Sequence, residues 1–181
     1  EYTAVWGVDG STVFAAHRFG GILRYDGKAW TRVYDASAGG KHIIWGASAN
    51  DIWAIGEHGR IARYDGTNWD DSELLPGKDP APAGIWGSAP DDVWVVGENR
   101  VWHWDGSAWG QEVLSTLRDG LAVWGTGAKD LYIVGKKGMA FHNDGAGWTD
   151  IHAEHPWKFT SLWGDGTTLR AVGEHATIMV R

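Results

Sequence analysis

Two dipeptides, Glu57-His58 and Glu174-His175, put a carboxylate beside an imidazole. Imidazole ligates metals in its neutral form and titrates near neutrality, so such pairs could bind zinc or move protons. Other reactive or charged groups fall at corresponding places along the chain: His17-Arg18, Lys41-His42, Glu98-Asn99-Arg100, Arg118, Lys136-Lys137 and Glu154-His155-Pro156-Trp157. Against catalysis, Glu57-His58 and Glu174-His175 are one turn motif copied in two blades, and adjacent hairpin residues point to opposite faces. Solvated turn residues are therefore expected there, with no metal, no cofactor and no catalytic residue. Trp157 suits a different chemistry. Flanked by Glu154, His155 and Lys158, its ring could stack on the C–H face of a sugar while charged neighbours hold the hydroxyls. The competing reading is a structural plug.

What positions these residues is a repeat. Trp-Gly occurs at Trp6-Gly7, Trp45-Gly46, Trp86-Gly87, Trp124-Gly125 and Trp163-Gly164, with spacings of 39, 41, 38 and 39 residues. Asp-Gly followed by Trp keeps the same beat at Asp26-Gly27 with Trp30, Asp65-Gly66 with Trp69, Asp105-Gly106 with Trp109, and Asp144-Gly145 with Trp148. A period in this range means one supersecondary unit copied, each copy burying its apolar face against its neighbours.

The second unit shows how one copy is built. The run from His42 to Trp45 is short, apolar and stopped by Gly46. Ile52 to Ile55 is apolar at every position, so both faces of that strand must be covered. Glu57-His58-Gly59 turns the chain into Arg60 to Tyr64, and Asp65-Gly66 turns it again. The return through Trp69 and Asp70 to Leu74 reads as an outer strand. Four antiparallel strands per unit of about 40 residues, with Gly-rich turns, predict the blades of an all-β propeller.

A single propeller domain over residues 1–181 is expected, with blades at about 1–39, 40–80, 81–118, 119–157 and 158–181. The fifth has strands near Thr160 to Trp163, Leu169 to Val172 and Ile178 to Val180, and lacks an outer strand. A five-bladed monomer is favoured, its missing outer strand supplied by residues ahead of Glu1, with membership of a larger or oligomeric ring as the alternative.

Composition narrows the function. At 181 residues and 43% hydrophobic, the chain has material for a core, and its 14 Trp and 27 Gly fall mostly inside the repeat. The Trp of Trp-Gly and those after Asp-Gly are therefore expected to pack between blades. Trp102, placed where other blades carry Leu23, Ala62 and Phe141, is expected to be a packing residue as well. Sixteen basic against 23 acidic residues give a net charge of −7 with no basic stripe, which argues against nucleic acid. There is no cysteine. No apolar run is long enough for a membrane span, and no leader pattern opens the chain. A start at Glu1 without Met is read as a processed product, giving an expectation of export.

The repeats IWGASANDIWAIG and IWGSAPDDVWVVG, each followed by YDG or WDG and Trp, resemble the Trp-Gly-rich repeats of exported proteins in myxobacteria and their relatives. These are distantly similar to photosystem assembly-factor and Asp-box propellers, and the blade count is similar to that of tachylectin-type propellers. The resemblance implies a propeller fold and leaves activity open. It departs from the Asp-box, whose Asp and Gly are not adjacent, and from WD40 repeats, whose Gly-His and Trp-Asp pairing is missing.

In such a blade, the turn from the second to the third strand and the link to the next blade share one end, where this sequence varies most. The other end repeats Asn50-Asp51, Asp91-Asp92 and Lys129-Asp130, read as turn caps. Most of the eight histidines are expected on the variable rim. The candidate ligand-binding residues are His17, Arg18, His42, Glu57, His58, Glu98, Asn99, Arg100, Arg118, Lys137, His155, Trp157, Glu174 and His175. The expected function is noncatalytic recognition of a glycan or other polar ligand. A protein-interaction scaffold or module of a larger exported protein, and a hydrolase or lyase using rim His and Glu, are the alternatives.

Overall fold

The structure is a computed structural model that describes residues 1–35, 40, 42–114, 116–151, 157–176 and 178–180. Two compact units are present, Glu1–Pro82 and Ala83–Arg181.

The first unit holds two blades. Blade I is a sheet of β1 (Tyr2–Asp9), β2 (Thr12–His17), β3 (Gly21–Tyr25) and β4 (Trp30–Asp35), and blade II of β5 (Ile43–Ser48), β6 (Asp51–Ile55), β7 (Ile61–Tyr64) and β8 (Trp69–Asp70). The second unit holds three. Blade III runs β9 (Gly84–Ala89), β10 (Asp92–Gly97), β11 (Arg100–Trp104) and β12 (Trp109–Val113). Blade IV runs β13 (Gly120–Gly127), β14 (Asp130–Gly135), β15 (Ala140–Asn143) and β16 (Trp148–Asp150). Blade V is a three-stranded sheet of β17 (Phe159–Gly164), β18 (Leu169–Gly173) and β19 (Ile178–Val180). Neighbours in every sheet pair antiparallel in chain order, as the turn spacing predicts.

In blade II the second strand is the buried one. Ile52, Trp53, Ala54 and Ile55 are all fully buried, as a run apolar on both faces requires. In the first unit, Phe14 and Ile22 of blade I pack with Ile44, Ile52, Ala54 and Ala62 of blade II. In the second, Val96 and Val101 of blade III meet Val123, Ile133 and Phe141 of blade IV, while Val134 and Ala140 of blade IV meet Phe159, Leu162 and Ala171 of blade V. Trp102 is buried within blade III, in keeping with a packing role.

Trp-Gly acquires its physical reason here. From blade I to II, III to IV and IV to V, the indole of one blade lies over the glycine of the next. A Cβ on Gly46 would sit 2.7 Å from Trp6, one on Gly125 3.1 Å from Trp86, and one on Gly164 within 2.6 Å of Trp124. The dipeptide supplies both halves of a contact between successive blades, the Trp facing forward and the Gly receiving from behind.

Asp-Gly is a capped turn. The Asp65 carboxylate accepts from the Thr67 and Asn68 N–H groups at 2.7 Å each, and Asp26 and Asp105 accept equivalent pairs. The following glycines adopt φ near +90°, where a side chain would be strained. In blades I to III the Trp that follows packs on the aromatic residue before the turn, as Trp69 does on Tyr64 at 5.2 Å.

Three features differ from the sequence expectation. The outer strand of blade II spans only Trp69–Asp70, because the Asp70 carboxylate bonds the Ser72 N–H and turns the chain away before it touches again at the Arg60–Leu74 bridge. Asp51, Asp92 and Asp130 do more than cap turns, although Asp92 and Asp130 accept from the Ser88 and Thr126 hydroxyls across theirs. They reach across to the third strand, as described below. Finally, Trp30 and Trp163 are not buried packing residues: they are 49% and 56% exposed.

Candidate ligand-binding rim

Six residues other than glycine have positive φ among the described residues: His58, Asp79, Glu98, Asp119, Lys137 and His175. All six lie either in the turn between second and third strands or in the link to the next blade. A left-handed conformation costs a residue with a Cβ about 1 kcal/mol. It is confined to the end of each blade that varies in sequence, where the turns are tight enough to need it.

Three of these turns are single 3-10 turns, Glu57–Gly59, Lys136–Gly138 and Glu174–Ala176, and their central residue carries the positive φ. Left-handed geometry at His58, Lys137 and His175 reverses the chain within three residues. In the first unit, His58 Nδ1 lies 2.6 Å from Asp79 Oδ1, both side chains largely exposed. The Asp79 carboxylate raises the His58 pKa, so the pair holds a proton more firmly than a free imidazole. Glu57 adds a smaller push in the same direction. His17 Nδ1 accepts from the Phe19 N–H at 3.3 Å, and Arg18 bonds Glu1 at 2.9 Å.

The second unit forms a cleft of about 550 Å³ lined by Glu98, Asn99, Leu117, Arg118, Asp119, Lys136 and Lys137. Four predicted residues therefore meet in one place: Glu98, Asn99, Arg118 and Lys137. The link from blade III to blade IV positions them. Fully buried Leu117 pins that link into the core beside Val96 and Met139. The Arg118 N–H points at Met139 Sδ at 3.0 Å, and the Gly120 N–H donates to the Glu98 carbonyl at 3.0 Å. Lys136 pairs with Asp119 at 3.2 Å. Arg118 and Lys137 have no ion-pair partner among the described residues. Three cations against two carboxylates give this cleft a positive excess on a chain of net charge −7.

The adjoining turn leads to Trp157. Its carbonyl accepts from the Gly138 N–H at 2.7 Å, and its ring meets His175 with centroids 5.4 Å apart. Glu174 is 4.0 Å from Lys158. Arg100 begins β11 opposite Gly97, and the Asn99 carbonyl bonds the Leu114 N–H. His155 lies outside the described residues.

His42 corrects the sequence expectation. It is 2% exposed, its ring against Gly56, where a Cβ would stand 2.9 Å from Nε2. Burial lowers its pKa, and its carbonyl accepts from Thr3 at 3.0 Å. His42 belongs to the packing and not to the rim.

His103 and His142 are not on the rim either. His103 Nε2 lies 2.7 Å from Asp92, which also accepts from Trp94 and Ser88, and its ring stacks on Trp94 at 3.9 Å. His142 repeats this with Asp130 at 2.8 Å, Thr126 and the ring of Tyr132 at 4.4 Å. In blade II, Arg63 replaces histidine, bonding Asp51 and lying over Trp53 at 4.3 Å. Burial raises the Asp130 carboxyl, but bonds from Thr126 and His142 more than offset this and hold it below the usual carboxylate value. Ser88 and His103 both bond the carboxylate rather than each other, so this is not a Ser-His nucleophile pair. The sequence signal was the recurring Asp two residues before an aromatic on the second strand. Its partner sits on the third strand opposite that aromatic, as in Trp94↔His103 and Tyr132↔His142.

Among the described residues, no three His, Asp or Glu side chains come together as metal ligands. A second cleft of about 440 Å³ opens where β8 stops short, lined by Asp51, Arg63, Asp65, Asn68, Asp70 and Glu73 among others.

The arrangement defines a β-propeller with a polar rim. No protein-family model and no curated protein matches the chain. Among solved structures, 99% of the chain aligns with YCF48 bound to D1 peptide at a TM-score of 0.73 and 15% identity, covering 63% of that chain. It aligns equally fully with U3-55K and with the WD40 repeats of RRP9, each at a TM-score of 0.80 and 9% identity, covering 60% and 59% of them. The chain thus spans about three fifths of the length of these structures. At these identities the likeness is one of fold.

Proposed function

We propose that the chain is a noncatalytic propeller module that binds a protein segment, an extended peptide bearing carboxylates, in the cleft between the rim turns of blades III and IV. The observation that carries this reading is that Arg118 and Lys137 line one cleft with buried Leu117 and have no ion-pair partner among the described residues, on a backbone that accepts left-handed geometry at Glu98, Asp119 and Lys137. Unpaired guanidinium and ammonium groups bond carboxylates strongly, and Glu98 can receive a peptide N–H or a basic side chain. YCF48, a propeller of the same fold, was solved bound to a peptide, which supports this choice over a glycan.

An array of acidic peptides tests it. Binding should weaken about tenfold or more on Arg118→Ala, less on Lys137→Ala, and fall as salt screens the charges. A glycan reading draws on the exposed pair of Trp157 and His175. Retention on a glycan array that is lost with Trp157→Ala, with no peptide retained, would replace the peptide proposal by that one. The same proposal assigns the repeat to the Trp-Gly-rich class of exported bacterial proteins, on the strength of the motif, and cell fractionation of the source organism checks the export.

A further inference from the structure

Arg118 and Trp157 hold the same place in successive links between blades. The Lys136 N–H donates to the Asp119 carbonyl at 3.4 Å, and the Glu174 N–H donates to the Lys158 carbonyl at 3.0 Å. The first residue of each of these rim turns is thus tied to the last residue of the link ahead of it, and Arg118 and Trp157 each stand one residue earlier. The turn Lys136–Gly138 lies between them, because its other end, Gly138, donates to the Trp157 carbonyl at 2.7 Å. Two residues of chain span at most about 7 Å. The cationic cleft and Trp157 are therefore neighbours along the rim of the second unit.

What the two places offer differs. Arg118 and Lys137 bring charge with no ion-pair partner among the described residues, whereas Trp157 brings an indole that is 38% exposed. The His175 ring, 5.4 Å away and tilted by 43°, steadies that indole. Lys158 and Glu174 beside it lie 4.0 Å from each other, so their charges offset and the ring is left as the distinctive feature. Resting on the peptide reading above, we propose that the bound segment carries an aromatic side chain next to its carboxylate. The carboxylate meets Arg118 and Lys137, and an aromatic ring about two residues along packs on Trp157. Side chains two apart on an extended chain share a face about 7 Å apart, which matches the span of the intervening turn. A ring is favoured over an aliphatic chain because paired aromatics gain from edge-to-face or offset geometry beyond the area they bury.

Short fluorescein-labelled peptides with one central Asp in a Ser-Gly background, titrated with the 181-residue chain by anisotropy, test this. Phe is placed at each position within about four residues on either side, with Leu and Ala as comparisons. Phe two residues from the Asp should tighten binding about three- to tenfold over Ala, and Leu should gain less. Trp157→Ala should remove the Phe gain and Trp157→Phe should keep most of it. Circular dichroism checks folding, and Trp157→Leu, which keeps apolar bulk without a ring, takes the place of Trp157→Ala if that variant does not fold. Acidic peptides that bind with no gain from Phe, an equal gain from Leu, or a gain that survives loss of the Trp157 ring each overturn this inference and leave the peptide reading standing. Failure of every acidic peptide to bind removes the peptide reading and this inference with it.

Discussion

Gly46 has no side chain because Trp6 already occupies the space a Cβ would need, and Ile52 crowds it from below. Glycine is required there by packing, not by backbone conformation. Gly46→Ala and Gly125→Ala should therefore each cost about 1–3 kcal/mol in denaturant unfolding, the usual range for overpacking a core. Gly10→Ala, where a Cβ meets nothing within 4 Å, should stay within about 0.5 kcal/mol. Equal losses at all three would mean that the indole contact is not what selects glycine. Single residues were legible in the sequence only as far as their repeat position went. Trp102 read correctly as packing, whereas His42 read as rim and is buried, because the link before β5 turns inward onto Gly56.

At the scale of the element, the Asp-Gly turn is where charge and backbone meet. Side-chain and backbone bonds from Ser107 and the Ala108 N–H hold Asp105 at about 2, and those from Thr167 and Thr168 hold Asp165 at about 2. Both values lie below the ordinary carboxylate value. Their contribution to stability is therefore complete above the unfolded-state pKa near 4 and is lost as pH falls towards 2. The stability difference between wild type and Asp105→Ala should accordingly shrink between about pH 4 and pH 2, and Ser107→Ala should move the Asp105 titration upward in carboxyl NMR. A difference constant over that interval would contradict the capping role. These turns were readable from composition, since Asp-Gly tolerates the required geometry. The Asp92 and His103 pairing was not, because it depends on which third-strand residue the register sets opposite Trp94.

For the molecule as a whole, stability is divided among neighbouring blades, since no blade buries both its faces alone. Val134 and Ala140 of blade IV are covered by Phe159, Leu162 and Ala171 of blade V. Deleting residues 158–181 would strip that cover and leave Trp124 without Gly164 beneath it. The truncated chain should melt at a clearly lower temperature and bind a hydrophobic dye. An unchanged melting curve would show that blade V contributes little to the packing of blade IV.

The sequence by itself determined the period, the four-stranded unit, the incomplete fifth sheet, the buried second strand and the end of each blade that varies. All of these follow from local rules, namely side-chain alternation along a strand and the backbone freedom of Gly, Asp and Asn in turns. Only the tertiary structure decided that Glu98, Asn99, Arg118 and Lys137 share a cleft, that Arg118 and Lys137 have no ion-pair partner among the described residues, and that His42 is packed away. Those outcomes depend on groups brought together through space across strands and between successive blades. No local pattern records which side chain finds a partner and which is left open.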